Sequence, residues 1–176
     1  MADDREVWKR ITQGDERAFD DFYNQTAPRL IAFLRHIVGG QEAAEDVAQE
    51  TYTGIWNRLN GYMPEAGELR AYLYGAARKQ AAAWWRKQSP SRRVCDGYAI
   101  EDIAIPSQIE KRSIVEDAFQ RLPAEQRALL WLREVEGQSY EELAVILEIP
   151  IGTVKSRLFA AREALRRIWH AERRSV

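Results

Sequence analysis

The sequence predicts an all-α fold, with two small helical domains joined by a flexible linker and the C-terminal domain a helix-turn-helix. Three observations carry this. Apolar residues recur at helical spacing in nearly every segment outside the connectors, and no alternating strand pattern appears. That regularity fails from residue 89 to about 107, where Ser89, Pro90 and Ser91 open a stretch interrupted by Gly97 and Pro106. Near the C-terminus, residues 139–167 read as a short helix, a tight turn and a longer basic helix.

The first helix is expected at residues 4–13, burying Val7, Trp8 and Ile11. Asp15 is the expected N-cap of a second helix running to about residue 38. Its apolar positions are Ala18, Phe19, Phe22, Tyr23, Leu30, Ile31, Leu34 and Ile37. Pro28 predicts a kink or short break inside it, and Gly39-Gly40 ends it. A third helix over residues 42–59 buries Ala44, Ala48, Tyr52, Ile55 and Leu59, and a loop follows at 60–67. The fourth helix, residues 68–88, turns Leu69, Tyr72, Leu73, Ala76 and Ala83 inward and Tyr74, Arg78 and Trp85 outward. Helices resume at 108–121, 124–134, 140–147 and 153–172. The domains are accordingly drawn at 1–90 and 108–176, with the linker at 91–107.

In the helix-turn-helix, Tyr140, Leu143, Ala144 and Leu147 form the buried face of the short helix. Pro150 and Gly152 punctuate the turn, and Thr153 is the expected N-cap of the second helix. That helix buries Val154, Leu158, Ala161 and Leu165. It presents Ser156, Phe159, Ala160, Glu163 and Arg167, with Lys155, Arg157 and Arg162 on the flanks. Such a helix can enter a DNA major groove, although many helical hairpins are only packing units.

The net charge of −1 over 176 residues means that any DNA affinity comes from local segregation of charge. Segregation is present. Between residues 70 and 93 stand Arg70, Arg78, Lys79, Arg86, Lys87, Arg92 and Arg93, with no acid among them. Aromatic rings interleaved with cations suit single-stranded nucleic acid, because bases stack on rings while cations meet phosphates. Trp84, near the inward face, reads as a seal between helices; Trp85 fits that role and base stacking equally. The third helix carries the opposite surface: Asp46, Gln49, Glu50, Thr53 and Asn57 line the face away from the core. An acidic, amide-rich stripe repels phosphate and suits a basic protein helix, though an ordinary solvated face carries the same pattern.

Other classes find little support. The single Cys95 excludes an internal disulfide, fits a reducing cytoplasm and argues against metal binding. His36 and His170 are far apart in sequence. No triad, metal-ligand cluster or phosphate-cradling glycine loop points to an enzyme, a cofactor or a metal. The N-terminus has no apolar core of a signal peptide, and no apolar run is long enough to insert in a bilayer.

These residues resemble a bacterial RNA polymerase sigma factor of the extracytoplasmic-function group over nearly all of the chain outside the linker. Asp46-Val-Ala-Gln-Glu-Thr-Tyr-Thr-Gly-Ile-Trp56 is similar to the polymerase-docking helix of region 2. Leu69-Arg-Ala-Tyr-Leu-Tyr-Gly-Ala-Ala-Arg78 is similar to its promoter-melting helix. Leu122-Pro-Ala-Glu-Gln-Arg, Gly137-Gln-Ser-Tyr-Glu-Glu-Leu-Ala and Gly152-Thr-Val-Lys-Ser-Arg-Leu-Phe resemble region 4.

The resemblance implies a mechanism. Asp46, Gln49, Glu50, Thr53 and Asn57 dock on the coiled coil of polymerase β′. The loop with Asn60, Gly61, Tyr62, Met63, Pro64 and Glu65 captures a base flipped from the −10 element. Arg78, Lys79, Trp85, Arg86 and Lys87 hold the separated strand. Thr153, Lys155, Ser156, Arg157, Phe159 and Arg162 read the −35 element as duplex, and residues 122–131 meet the β-flap tip. An anti-sigma factor is the expected regulator, in the cytoplasm. The chain departs from the family pattern with Lys79 and Ala83 in the fourth helix, Glu148 in the turn and Ala160 on the recognition helix. Two other readings compete: a helix-turn-helix regulator that binds duplex DNA as a dimer without entering polymerase, and a helical adaptor that binds only proteins.

Overall fold

The computed structural model describes residues 4–57, 69–88 and 114–173. Every element among them is helical. The N-terminal module comprises α1 (Asp4–Thr12), α2 (Glu16–Val38), α3 (Gln41–Asn57) and α4 (Leu69–Gln88). The C-terminal module comprises α5 (Ile114–Gln120), α6 (Ala124–Leu130), a π-helical turn at Trp131–Val135, α7 (Tyr140–Leu147) and α8 (Ile151–Arg173). Among the described residues no helix is long and apolar enough to cross a membrane.

Local chemistry sets most boundaries. The Asp15 carboxylate accepts the Ala18 N–H at 3.1 Å and so caps α2, while Arg10 grips the same carboxylate at 2.8 Å. These bonds, the Arg10 bond first and the Ala18 N–H next, hold the Asp15 carboxyl below its ordinary value. Gly39 ends α2 in the left-handed region at φ 91°, its N–H bonded to Arg35 O at 3.1 Å. The break expected at Pro28 is absent, and α2 runs through it. Pro28 lies on the exposed side, where water can serve the carbonyl that loses its N–H partner. Ser139 and Glu142 form a reciprocal capping box at the start of α7.

Thr153 is not the N-cap of α8. The helix begins at Ile151, and the Pro150 carbonyl accepts the N–H groups of Thr153 at 2.8 Å and Val154 at 3.1 Å. Thr153 therefore sits within the first turn.

In the N-terminal module Trp8, Ile11, Phe22, Leu30, Phe33, Leu34, Ile37, Val47, Ile55 and Leu73 are buried between α1, α2, α3 and α4. Tyr52 brings a hydroxyl into this core, where it meets Thr26 Oγ1 at 2.7 Å; Thr26 also donates to Phe22 O. Burial pushes the Tyr52 phenol well above its ordinary value. In the C-terminal module Leu122, Leu129, Leu132, Leu143, Ile146, Val154, Leu158 and Ala161 are buried.

The two modules lie against each other, α6 on α2 and α7 across α4. Tyr74, expected to face outward, is 3% exposed and packs edge-on against Phe33 with ring centroids 5.1 Å apart. The reason is that α4 is covered on two sides, by α2 and α3 on one and by α7 on another. Its apolar residues therefore need no single stripe.

Candidate nucleic-acid interface

α3 projects Asp46, Gln49, Glu50, Thr53 and Asn57 into solvent, because Ala44, Val47, Ala48, Thr51, Tyr52 and Ile55 turn to the core. Glu50 stands 3.8 Å from Lys87 of α4, so acidic and basic surfaces adjoin along this edge. Beside the stripe lies a hollow lined by Phe19, Tyr23, Tyr52 and Trp56, with Glu16 and Asp20 at its edge. Tyr23 is 41% exposed there. The six residues from Asn60 to Glu65 assigned to −10 recognition lie outside the described residues, as does the linker at 91–107.

α4 divides its basic residues. Arg86 and Lys87, in its last turn, are exposed. Arg78 and Lys79, two turns earlier, are engaged by the C-terminal module. Arg78 Nε donates to Ile146 O at 3.1 Å, and Arg78 Nη2 lies 3.9 Å from Glu148. Lys79 Nζ donates to Glu148 Oε1 at 2.5 Å. Trp85 donates its indole N–H to Ile37 O at 3.3 Å and meets Trp84 edge-on at 4.8 Å. Trp84 is packed against the core, as its inward position suggested.

The outer face of α8 is open but not uniformly available. Phe159 is 68% exposed, and Lys155 and Ser156 are exposed beside it. Lys155 sits 5.8 Å from the centroid of the Tyr140 ring, and Ser156 Oγ donates to Thr153 O at 3.0 Å. Arg157 is bound to Glu125 of α6 at 2.6 Å, and Arg162 to Glu134 of the π-helical turn at 2.6 Å. Both arginines thus double as braces for the module. Residues 122–131, expected to meet another protein, are largely turned inward, with Leu122, Ala124 and Leu130 buried.

Residues that sequence reasoning did not single out hold the modules together. Arg127 of α6 is fully buried. Its Nε donates to His36 O at 3.0 Å, and its Nη1 donates to Gln120 O at 2.8 Å and to Leu122 O. Burial disfavours its charge and brings its pKa down to about 10, so it remains a cation at neutral pH. The His36 ring packs against Trp131 at 4.5 Å and Phe119 at 5.2 Å. The other new residue is Glu136, whose side chain is 2% exposed. It faces Arg29 of α2 at 3.7 Å, takes the Trp131 indole N–H at 3.2 Å and lends its charge to the surroundings of Tyr74 on α4. Burial first, then this carboxylate, pushes the Tyr74 phenol up. The wider π-helical turn preceding Glu136 changes the register, so that Glu134 meets α8 while Glu136 meets α2 and α4. One signal was visible: Arg127 falls on the otherwise apolar face of α6 with Ala124 and Ala128, an expensive position for a charge.

A helix-turn-helix joined to a helical module that bears adjoining acidic and basic faces fits a two-module DNA-binding protein. The comparisons make that class specific. The family model described as Sigma-70 region 2 matches residues 22–90, and that described as Sigma-70, region 4 matches residues 112–165. The chain is 30% identical over 177 residues to the RNA polymerase sigma-H factor of Pseudomonas aeruginosa, covering 92% of this chain and 91% of that relative. It is 31% identical over 180 residues to the ECF RNA polymerase sigma-E factor of Escherichia coli K12, covering 92% of each. Among solved structures it is similar to the sigma factor RpoE co-crystallised with the anti-sigma factor NepR from Bartonella quintana. That likeness has a TM-score of 0.66 and 30% identity over 85% of this chain and 95% of that one. Its fold also matches CnrH in complex with the cytosolic domain of CnrY, with a TM-score of 0.70 and 21% identity over 96% and 97% of the two chains. The chain belongs to the extracytoplasmic-function RNA polymerase sigma factors, and its function is to direct promoter-specific transcription initiation.

Proposed function

We propose that the working surfaces divide along the two modules, with 1–90 gripping polymerase and separating strands and 108–176 reading duplex upstream, joined through 91–107. The observation that carries this is the juxtaposition of an acidic, exposed α3 face with the basic end of α4. Asp46, Gln49, Glu50, Thr53 and Asn57 dock on the β′ coiled coil, where the acidic stripe complements basic protein. The loop from Asn60 to Glu65 accepts an extruded −10 base. Arg78, Lys79, Trp85, Arg86 and Lys87 follow the separated strand. Lys155, Ser156 and Phe159, with Thr153, Arg157 and Arg162 beside them, enter the major groove of the −35 element. Residues 122–131 meet the β-flap.

Unstacking a base step costs a few kcal/mol, so the strand-holding helix and the base pocket must supply compensation. Tethering two weak readers raises the effective concentration of each at its own element, which suits a chain whose net charge is only −1. Nucleotide polymerisation belongs to the core enzyme, and the chain acts as a non-enzymatic cytoplasmic partner of it. The likeness to RpoE bound to NepR supports an anti-sigma regulator for this chain as well.

Run-off transcription tests the reading. Core polymerase plus the full chain is expected to initiate at discrete promoters found by mapping transcripts after induced expression. Purified protein that forms no promoter-specific transcript with core enzyme overturns it.

A further inference from the structure

Two surfaces assigned to separate tasks are covered by one another in this structure. The middle of α4 carries Arg78 and Lys79 beneath the C-terminal end of α7, and residues 122–131 lie against α2. The contact on α4 is built from a specific piece of chain. Glu148 closes α7 in the left-handed region at φ 56°, and it is the sole described non-glycine residue with positive φ. L side chains rarely adopt that conformation, and glycine is the residue it favours. A glutamate there is held against local preference, and its carboxylate is aimed at α4. It reaches Lys79 at 2.5 Å and Arg78 at 3.9 Å, while Arg78 takes the Ile146 carbonyl at 3.1 Å. The free carbonyls at a helix C-terminus carry partial negative charge. The end of α7 therefore presents a carboxylate and a carbonyl to the very cations that a DNA phosphate would seek.

We propose that the free sigma factor inhibits itself: Glu148 latches the helix-turn-helix onto α4 and masks Arg78 and Lys79 from the promoter strand until the modules part. The masking rests on the reading of α4 as the strand-holding helix; the latch does not.

Several features fit a latch rather than a permanent core. Lys79 and Glu148 retain side-chain exposures of 62% and 59%, so salt and competing phosphate can reach them. The other ties across the interface are Arg127 to the His36 carbonyl, Glu136 to Arg29, and the His36 ring against Trp131 and Phe119. The ionic contact at Glu148 is the part of this interface that water and salt reach, and relative motion is the default between domains of one chain.

The test uses the full chain with probes at Glu42→Cys and Arg167→Cys in a Cys95→Ser background, one probe on each module. Inter-probe distance is read by energy transfer, and binding by anisotropy of a labelled oligothymidylate. The wild-type chain is expected to show a predominantly short distance. Glu148→Gly and Glu148→Lys should lengthen it, and Lys79→Glu combined with Glu148→Lys should restore it. Glycine suits the backbone at 148, so the Gly variant should retain its helical signal and unfolding midpoint. Its affinity for oligothymidylate should rise about three- to fivefold, the size expected for losing one partly exposed ion pair from a masking equilibrium.

A long distance in the wild type, or an unchanged distance in Glu148→Gly, overturns the latch. If Glu148→Gly opens the chain without raising affinity, the masking is overturned. In that case Arg86→Glu with Lys87→Glu, made in the open variant, separates the causes. Weakened binding shows that α4 holds strands but is not masked, whereas unchanged binding shows that the assignment of α4 itself has failed and the masking with it.

Discussion

At Glu148 one carboxylate couples protonation to shape. The hydrogen bond from Lys79, followed by the nearby charges of Lys79 and Arg78, holds it below its ordinary value of 4.5. A depressed carboxylate stabilises the contact fully above its free value, and that contribution disappears as pH falls through the lower value. Energy transfer between probes on the two modules should therefore report opening as the pH is taken below 4.5, and Glu148→Gln should remove part of that pH dependence. Two of the sequence departures, Lys79 and Glu148, prove to be partners, a pairing that only the folded chain reveals. Other single residues matter for stability. Tyr52→Phe removes the hydroxyl bonded to Thr26, which keeps its bond to Phe22 O, so urea unfolding should show a loss of about 1 kcal/mol. Arg127→Ala strands the buried carbonyl of Leu122 and the partly buried ones of Gln120 and His36 and should cost roughly 3 kcal/mol by the same measurement.

Among the elements, α2 and α3 carry predictions of different kinds. Gly39 occupies the left-handed cap of α2 at φ 91°, so Gly39→Ala should lower stability by about 1 kcal/mol in thermal or urea unfolding, with polymerase binding intact once folded. On α3, Asp46→Arg reverses charge at an exposed position and leaves the core untouched. Pull-down of core polymerase should weaken by about tenfold or more, with the unfolding free energy within about 0.5 kcal/mol of wild type. Unchanged core binding would remove α3 from the docking surface.

The elements themselves were largely legible. Strong apolar periodicity located α1, α2, α3 and α7, and the caps Asp15 and Gly39 fixed both ends of α2. The start of α8 was not, because its first turn is organised by the Pro150 carbonyl ahead of the apolar stripe. Tyr74 was misplaced because periodicity assumes one buried face, whereas α4 is enclosed by both modules. The π-helical turn at Trp131–Val135 has no such periodic signature, and with it the burial of Glu136 went unseen. The exposed stripe of α3 and the open face of α8 were read correctly as faces, since helical geometry alone determines them. The engagement of Arg157 and Arg162 with Glu125 and Glu134 depends on where α6 and its π-helical continuation lie in space.

For the molecule as a whole, the interface between modules is the feature that sequence periodicity cannot supply. It joins two bodies through a buried arginine, a buried glutamate and an exposed ionic contact. The cover is also selective. The turn after α7 sits over Arg78 and Lys79, while Phe159 on α8 points away from that seam with 68% of its surface in water. On the latch proposed above, the recognition helix stays open to duplex while the strand-binding cations are covered. Promoter engagement would then have a direction in time, with the upstream box sampled first and the downstream strand seized only after the two halves part.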